Sequence, residues 1–254
     1  MNHALSLSEV LARPDVWRGD HLASAAIPSV SSGFAQLDAE LPGGGWPRGM
    51  LTEILADSVG LGECALLMPA LMRMREEGKW SLLVAPPHAL HGPAWASAGI
   101  DLARLVVVSP SSPSTSSTSS TPRRQRDALW AAEQALASGA LGSVLCWTTH
   151  SDARQVRRLQ VAAAGSNTLA FLFRPGRART ESSAAALRLL LSAGSHGTLA
   201  VDLLKRRGSP CTRTLYLDVP RPLKWREEYE ATLARPPSAL PRARSQRPRP
   251  LVVA

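Results

Sequence analysis

The sequence predicts an α/β fold, a mostly parallel sheet with helices on both faces and an antiparallel edge hairpin. Three observations predict it. Short apolar runs alternate with segments whose apolar residues recur at helical spacing. Clusters of Gly, Pro and Ser punctuate the alternation. The last two apolar runs, 199–205 and 212–217, follow one another with no helical segment between them, which closes the sheet with a hairpin.

The elements follow in order. Residues 1–30 read as a lead-in. Residues 33–55 hold glycine turns and one strand, Leu51–Leu55. Gly62–Glu77 carries Leu66, Leu67, Ala70, Leu71 and Met74 at helical spacing, with Pro69 as a local conflict that kinks or delays the helix. Trp80–Ala85 reads as a buried strand stopped by Pro86-Pro87, residues 93–98 as a helix, and Leu105–Val108 as a strand. Ser109–Pro122 is a Ser/Thr/Pro run that cannot bury surface and reads as a disordered insertion loop (109–122). Helix 124–138, strand 144–147, helix 151–164 and strand 169–173 come next, and 184–191 suits a strand, although its Ala and Leu content also suits a helix. The main domain spans 31–220. Residues 221–254 form a tail whose end, 231–254, carries Arg235, Arg242, Arg244, Arg247 and Arg249 with five prolines and no acid.

Composition narrows the classes. The chain has 254 residues, 44% of them apolar, enough for one sizeable core. Twenty-nine basic against 20 acidic residues give a net charge of +9, which favours an anionic partner such as DNA or an acidic protein surface. Cys64, Cys146 and Cys211 are odd in number and lack ligand spacing, which fits a reducing compartment. No leader pattern is present and no apolar run approaches about 18 residues, so the reading is a soluble, cytoplasmic chain without a membrane segment. The six histidines are scattered; His88 and His91 with Cys64 do not have the spacing of a metal site, and none is assigned.

One pattern carries chemistry by what it lacks. After the strand 51–55 the chain reads Ala56-Asp57-Ser58-Val59-Gly60-Leu61-Gly62-Glu63-Cys64. This is the frame of a phosphate loop, strand then glycine turn then apolar helix. A working loop carries Lys and then Ser or Thr after the last glycine. Glu63 and Cys64 stand there instead. A carboxylate repels a triphosphate and a thiol is a poor magnesium ligand. The one Gly-Lys pair, Gly78-Lys79, is followed by Trp80 and offers no second motif. Backbone N–H groups at the helix start need no Lys, so weak ATP binding stays open; the alternative is that the glycines only turn the chain.

The ordered series of motifs resembles the RecA superfamily over about residues 31–217. It comprises Gly33-Phe34-Ala35-Gln36-Leu37-Asp38, Leu41–Leu55, His88-Ala89-Leu90, Gly99-Ile100-Asp101, the strand ending Ser109-Pro110, Ser138-Gly139-Ala140 and Ala186-Leu187-Arg188. Within that superfamily the runs Pro42–Leu55, Gly60–Leu71 and Phe171–Pro175 are most similar to ImuA, a family itself similar to the SulA division inhibitors. The resemblance implies a RecA-like P-loop core. It places the magnesium-orienting acid at Trp147 and the catalytic glutamate at Pro87, so all three catalytic places are lost and no enzymatic activity is expected. It further implies an accessory role in SOS-induced translesion synthesis, with ImuB and an error-prone DnaE-type polymerase as partners and RecA or DNA as further contacts. The alternatives are a SulA-like division inhibitor and a nucleotide-dependent switch ATPase.

Four features are candidate contacts with a partner or DNA. Lys205-Arg206-Arg207 lies between the hairpin strands. Arg154, Arg157 and Arg158 share a helix face. The five tail arginines are the third. Trp46, in a glycine turn, is the fourth, as an exposed aromatic anchor or as a residue packing its own turn.

Overall fold

The structure, a computed structural model, describes residues 27–110 and 121–220. They all belong to the first of two units of the chain, Met1–Arg221. The five tail arginines and residues 111–120 of the proposed insertion lie outside the described residues, as does most of the lead-in.

The sheet is the expected one. Strands β3 (Leu51–Ala56), β4 (Ser81–Val84), β5 (Leu105–Val108), β6 (Ser143–Trp147), β7 (Leu169–Pro175) and β8 (Leu187–Ala193) are parallel to one another. β9 (Leu199–Lys205) and β10 (Leu215–Leu217) add an antiparallel edge. The order across the eight-stranded sheet is β10-β9-β8-β3-β7-β6-β4-β5. A separate two-stranded pair joins β1 (Ser29–Val30) to β2 (Trp46–Pro47), so the core already takes in Ile27 and Val30.

Helices cover both faces, and the strands show why. Along β6, Leu145 and Trp147 face one cluster while Val144 and Cys146 face another. Phe171 and Phe173 of β7 alternate in the same way with Ala170 and Leu172. A strand buried on two sides is apolar throughout, so its period of two disappears from the sequence. The first cluster is closed by α2 (Glu63–Glu76) through Leu66, Leu67 and Met74. The second is closed by α4 (Thr121–Ala137) and α5 (Ala153–Ala163) through Leu129, Leu136, Val156 and Leu159. Two short helices, α1 (Ala35–Asp38) and α3 (Gly92–Ser97), complete the set.

Local rules fix the ends. Asp152 and Gln155 form a reciprocal capping box at the start of α5. The Gln160 side chain of α5 accepts the Leu51 N–H, 3.1 Å, and so ties the helix to the first residue of β3. Pro69 neither delays nor ends α2, which runs unbroken past it. Gly33, at φ +82°, lies so close that a Cβ there would sit 2.5 Å from the Pro69 Cβ. Only glycine has both the φ and the room.

Several boundaries differ from the sequence reading. α4 begins at Thr121, not 124, because Pro is welcome in a first helical turn. The last strand covers only 215–217 of the expected 212–217. Turns alone were expected before β3, yet α1 and the β1–β2 pair are there; both are too short to leave a period.

The reading of Trp46 as an exposed anchor is corrected. Pairing of Val30 with Trp46 turns the indole inward, where it is 0% exposed. It meets the edge of Phe171 with ring centroids 5.4 Å apart. Trp46→Ala is therefore expected to destabilise the fold by about 3–5 kcal/mol, read as a shifted urea midpoint. Trp46→Phe should cost less, since the indole N–H it removes has no acceptor among the described residues.

Candidate functional site

The carboxyl ends of parallel strands are where an open α/β sheet leaves room for a ligand. Here the ends of β3, β4, β6 and β7, with the residues that follow β5, surround a cavity of about 460 Å³. Ala56, Glu63, Pro87 and Trp147 all line it. The structure thus gathers Glu63, Pro87 and Trp147, far apart in the chain, around one cavity.

The loop from β3 to α2 is shaped as the glycines predict. Gly60 and Gly62 have φ of +80° and +109°, and Gly62 caps α2 in the left-handed region. Two of the loop donors are already taken. The Gly60 N–H donates to Glu63 Oε1 at 3.0 Å and the Gly62 N–H to Oε2 at 3.1 Å. Glu63 is 8% exposed. A carboxylate at a helix N-terminus is favourable by dipole and hydrogen bond alike, and it occupies donors that an incoming phosphate would need. Cys64, the next residue, packs against the core; burial first, then the Glu63 carboxylate, pushes its thiol up to about 12.

Aromatic packing forms a second wall. Trp147 and Phe173, paired in register on β6 and β7, stack with centroids 4.5 Å apart and planes 4° from parallel. Trp147 lines the cavity and leaves its volume open.

Beneath lies a charge network that the sequence reading did not assign. Glu53, at the middle of β3, is 0% exposed. Arg174 of β7 donates to its Oε1 at 3.0 Å, and Arg188 of β8 to its Oε2 at 2.6 Å. Arg174 also donates to the Ser151 carbonyl and to Glu181, and Arg188 to the carbonyls of Ala178 and Glu181. A signal was available: Glu53, Arg174 and Arg188 each interrupt an apolar strand, and charges there are rarely buried unless paired. Arg174 reaches the cavity as well, and its Nε has no hydrogen-bond partner among the described residues.

The basic turn is not part of this site. Lys205, Arg206 and Arg207 line a different cavity of about 420 Å³, with Met50 and Leu187 from the opposite ends of β3 and β8. Arg206 is already engaged within the fold: its guanidinium is held by Glu40 at 2.7 Å and by the Glu40 and Ser209 carbonyls. Burial raises the Glu40 carboxyl, but hydrogen bonds from Arg213 and Arg206 outweigh it and leave its pKa below the ordinary value. Lys205 donates to the Ser183 carbonyl, and Arg207 is exposed. On α5, Arg158 pairs with Glu133 of α4 at 2.6 Å, while Arg154 and Arg157 are exposed. Among the described residues no group of three or more His, Cys, Asp or Glu could hold a metal, and no helix is long and apolar enough to cross a membrane.

Three outcomes are expected. Glu53→Gln leaves two buried guanidiniums short of countercharge and should cost about 3–5 kcal/mol by urea denaturation. Glu181→Gln, at the half-exposed end of the same network, should cost about 1 kcal/mol or less. Iodoacetamide at pH 8 should label Cys211 well before Cys64 or Cys146 in the folded protein, because burial also pushes Cys146 up to about 12; mass spectrometry of the labelled peptides reads the order.

Comparison with known proteins gives the relationships. No protein-family model matches the chain. The cell division inhibitor SulA of Pectobacterium atrosepticum is 28% identical over 176 residues, which covers 69% of this chain and 86% of that protein. SulA of Photorhabdus laumondii is 30% identical over 48% of this chain and 63% of its own length. The RecA protein of Chlorobaculum parvum is 33% identical over 94 residues, 37% of this chain and 27% of RecA. These similarities support a SulA- and RecA-related family for the chain.

Proposed function

We propose that this protein is a catalytically inactive, RecA-like assembly protein of the bacterial DNA-damage response. Its role is that of ImuA, an accessory to mutagenic translesion synthesis beside ImuB and an error-prone DnaE-type polymerase. The observation that carries the reading is the Glu63 carboxylate on the Gly60 and Gly62 N–H groups. It sets a fixed negative charge at the point where phosphoryl-transfer enzymes place a lysine. Trp147 and Pro87, at the other two catalytic places, have no side-chain group that holds magnesium or polarises water. The sheet then serves as a rigid platform, and binding energy goes into assembly. Similarity to SulA and RecA supports the damage-response setting; the ImuA-like runs at Pro42–Leu55, Gly60–Leu71 and Phe171–Pro175 support the finer role.

A second reading has its own support. Similarity to SulA extends over 86% of the Pectobacterium protein, which favours a division inhibitor. Filamentation of cells that overproduce the chain, without any DNA damage, would select that reading.

The deciding experiment pairs a titration of the purified protein with a fluorescent ATP analogue and magnesium with an ImuB pull-down. The expected result is no micromolar nucleotide binding and clear ImuB capture. Micromolar binding that alters the capture would replace the inactive platform with a nucleotide-dependent switch.

A further inference from the structure

The outer surface of α4 and α5 holds side chains that the fold does not use. Val161 at 64% and Trp130 at 60% are the most exposed large apolar side chains among the described residues, and both stand on these two helices. The helices pack on the same face of the sheet. Each returns from one parallel strand to the start of the next, so they run in the same direction. Arg158 fixes their relative height by reaching Glu133 at 2.6 Å. One turn back from that pair, Trp130 comes level with Arg154; three residues on, Val161 comes level with Leu136. Val161 therefore lies about 9 Å beyond Trp130 along the axes and one helix spacing, about 8–10 Å, across.

The same surface is basic. The two helices carry six arginines, no lysine and two acids. Both acids are engaged, Asp127 by Arg123 at 3.9 Å and Glu133 by Arg158. Arg124 donates to the Pro110 carbonyl. Arg126, Arg154 and Arg157 are exposed and have no ion pair among the described residues. Arg126 stands four residues before Trp130, and Arg157 four residues before Val161. Each exposed apolar side chain thus has an uncommitted guanidinium one turn away on its own helix.

We propose, building on the assembly reading, that this surface docks an acidic amphipathic helix of a partner protein, its apolar residues on Trp130 and Val161 and its carboxylates on Arg126, Arg154 and Arg157. The diagonal between the two anchors, about 12 Å, is the rise of eight helical residues, so apolar residues at i and i+7 or i+8 of one helix reach both. Tryptophan and arginine are the side chains that dominate protein interfaces, and a guanidinium engages a carboxylate through two parallel hydrogen bonds. A single nucleic-acid strand would use the arginines and stack a base on Trp130, but it offers nothing to the aliphatic Val161. The protein partner uses both anchors and all three charges.

The test titrates the full-length protein with ImuB and, separately, with a single-stranded oligothymidylate. Trp130→Ala, Val161→Glu and the double variant Arg154→Glu/Arg157→Glu are each expected to weaken ImuB binding by at least about tenfold. All four positions are exposed, so melting temperatures should match the wild type. Arg179→Glu, at an exposed arginine between β7 and β8, should bind ImuB as the wild type does. Added salt should weaken the wild type more than the double variant. Hydrogen exchange on bound ImuB should protect a segment whose acids outnumber its bases. Variants that bind as tightly as the wild type overturn the docking surface and leave the assembly reading standing. Protection confined to a segment without excess acid overturns the acidic helix as occupant. Oligothymidylate binding that Trp130→Ala abolishes, with ImuB binding intact in every variant, makes a nucleic-acid strand the occupant instead. Wild-type protein that does not bind ImuB overturns the assembly reading and this surface together.

Discussion

Glu53 is the residue on which the centre of the molecule depends. A carboxylate with no solvent contact in the middle of a central strand is tolerable only if its charge is met on the spot. Arg174 and Arg188 meet it from the strands on either side. Three adjacent strands, β7, β3 and β8, are therefore joined by charge as well as by the backbone ladder. Arg188 also holds the carbonyls of Ala178 and Glu181, which fixes the crossover from β7 to β8. Since β8 starts the antiparallel edge, the register of the hairpin rests on this arrangement too. Replacing the set by apolar residues would fill the volume but lose the directionality that picks out one register.

The site above inherits this rigidity. Arg174 is pinned by Glu53, Glu181 and Ser151, so its side chain has a defined direction. Trp147 and Phe173 are held by neighbouring strands in register and stack without needing a ligand. At the other wall, Glu63 satisfies the loop that the glycines shape. A phosphate loop without a phosphate would leave N–H groups unmet at a helix start. The carboxylate meets those of Gly60 and Gly62 internally, and the loop keeps its geometry with a side chain as its anion.

Much of the architecture was legible in the residues. Alternating apolar runs and helical periods set the α/β class, and the hairpin followed from two runs without a helix between them. The loop Ala56–Cys64 was legible as a phosphate frame because turn glycines and the order of strand and helix are local. What stayed hidden was of two kinds. The elements α1, β1 and β2 are shorter than any period they would show. The Glu53 network joins residues 121 and 135 positions apart, and nothing local pairs them. Its members were in plain view within Leu51–Leu55, Phe171–Pro175 and Ala186–Arg188, the same runs that carry the family resemblance.

The sequence by itself determined the order of the longer strands and helices, the glycine frame followed by Glu63 and Cys64, and the excess of positive charge, because each of these is a property of composition or of near neighbours along the chain. Only the tertiary structure decided which charges are spent and which are free. Arg206 and Trp46 looked available as isolated residues; Glu40, 166 positions from Arg206, takes the one, and the pairing of β1 with β2 buries the other. It also decided that Glu63 turns back onto its own loop and that Arg174 meets Glu53 across the sheet. Burial and hydrogen-bond partnership are long-range quantities. They come into being when distant segments close over one another, and no window of the sequence contains them.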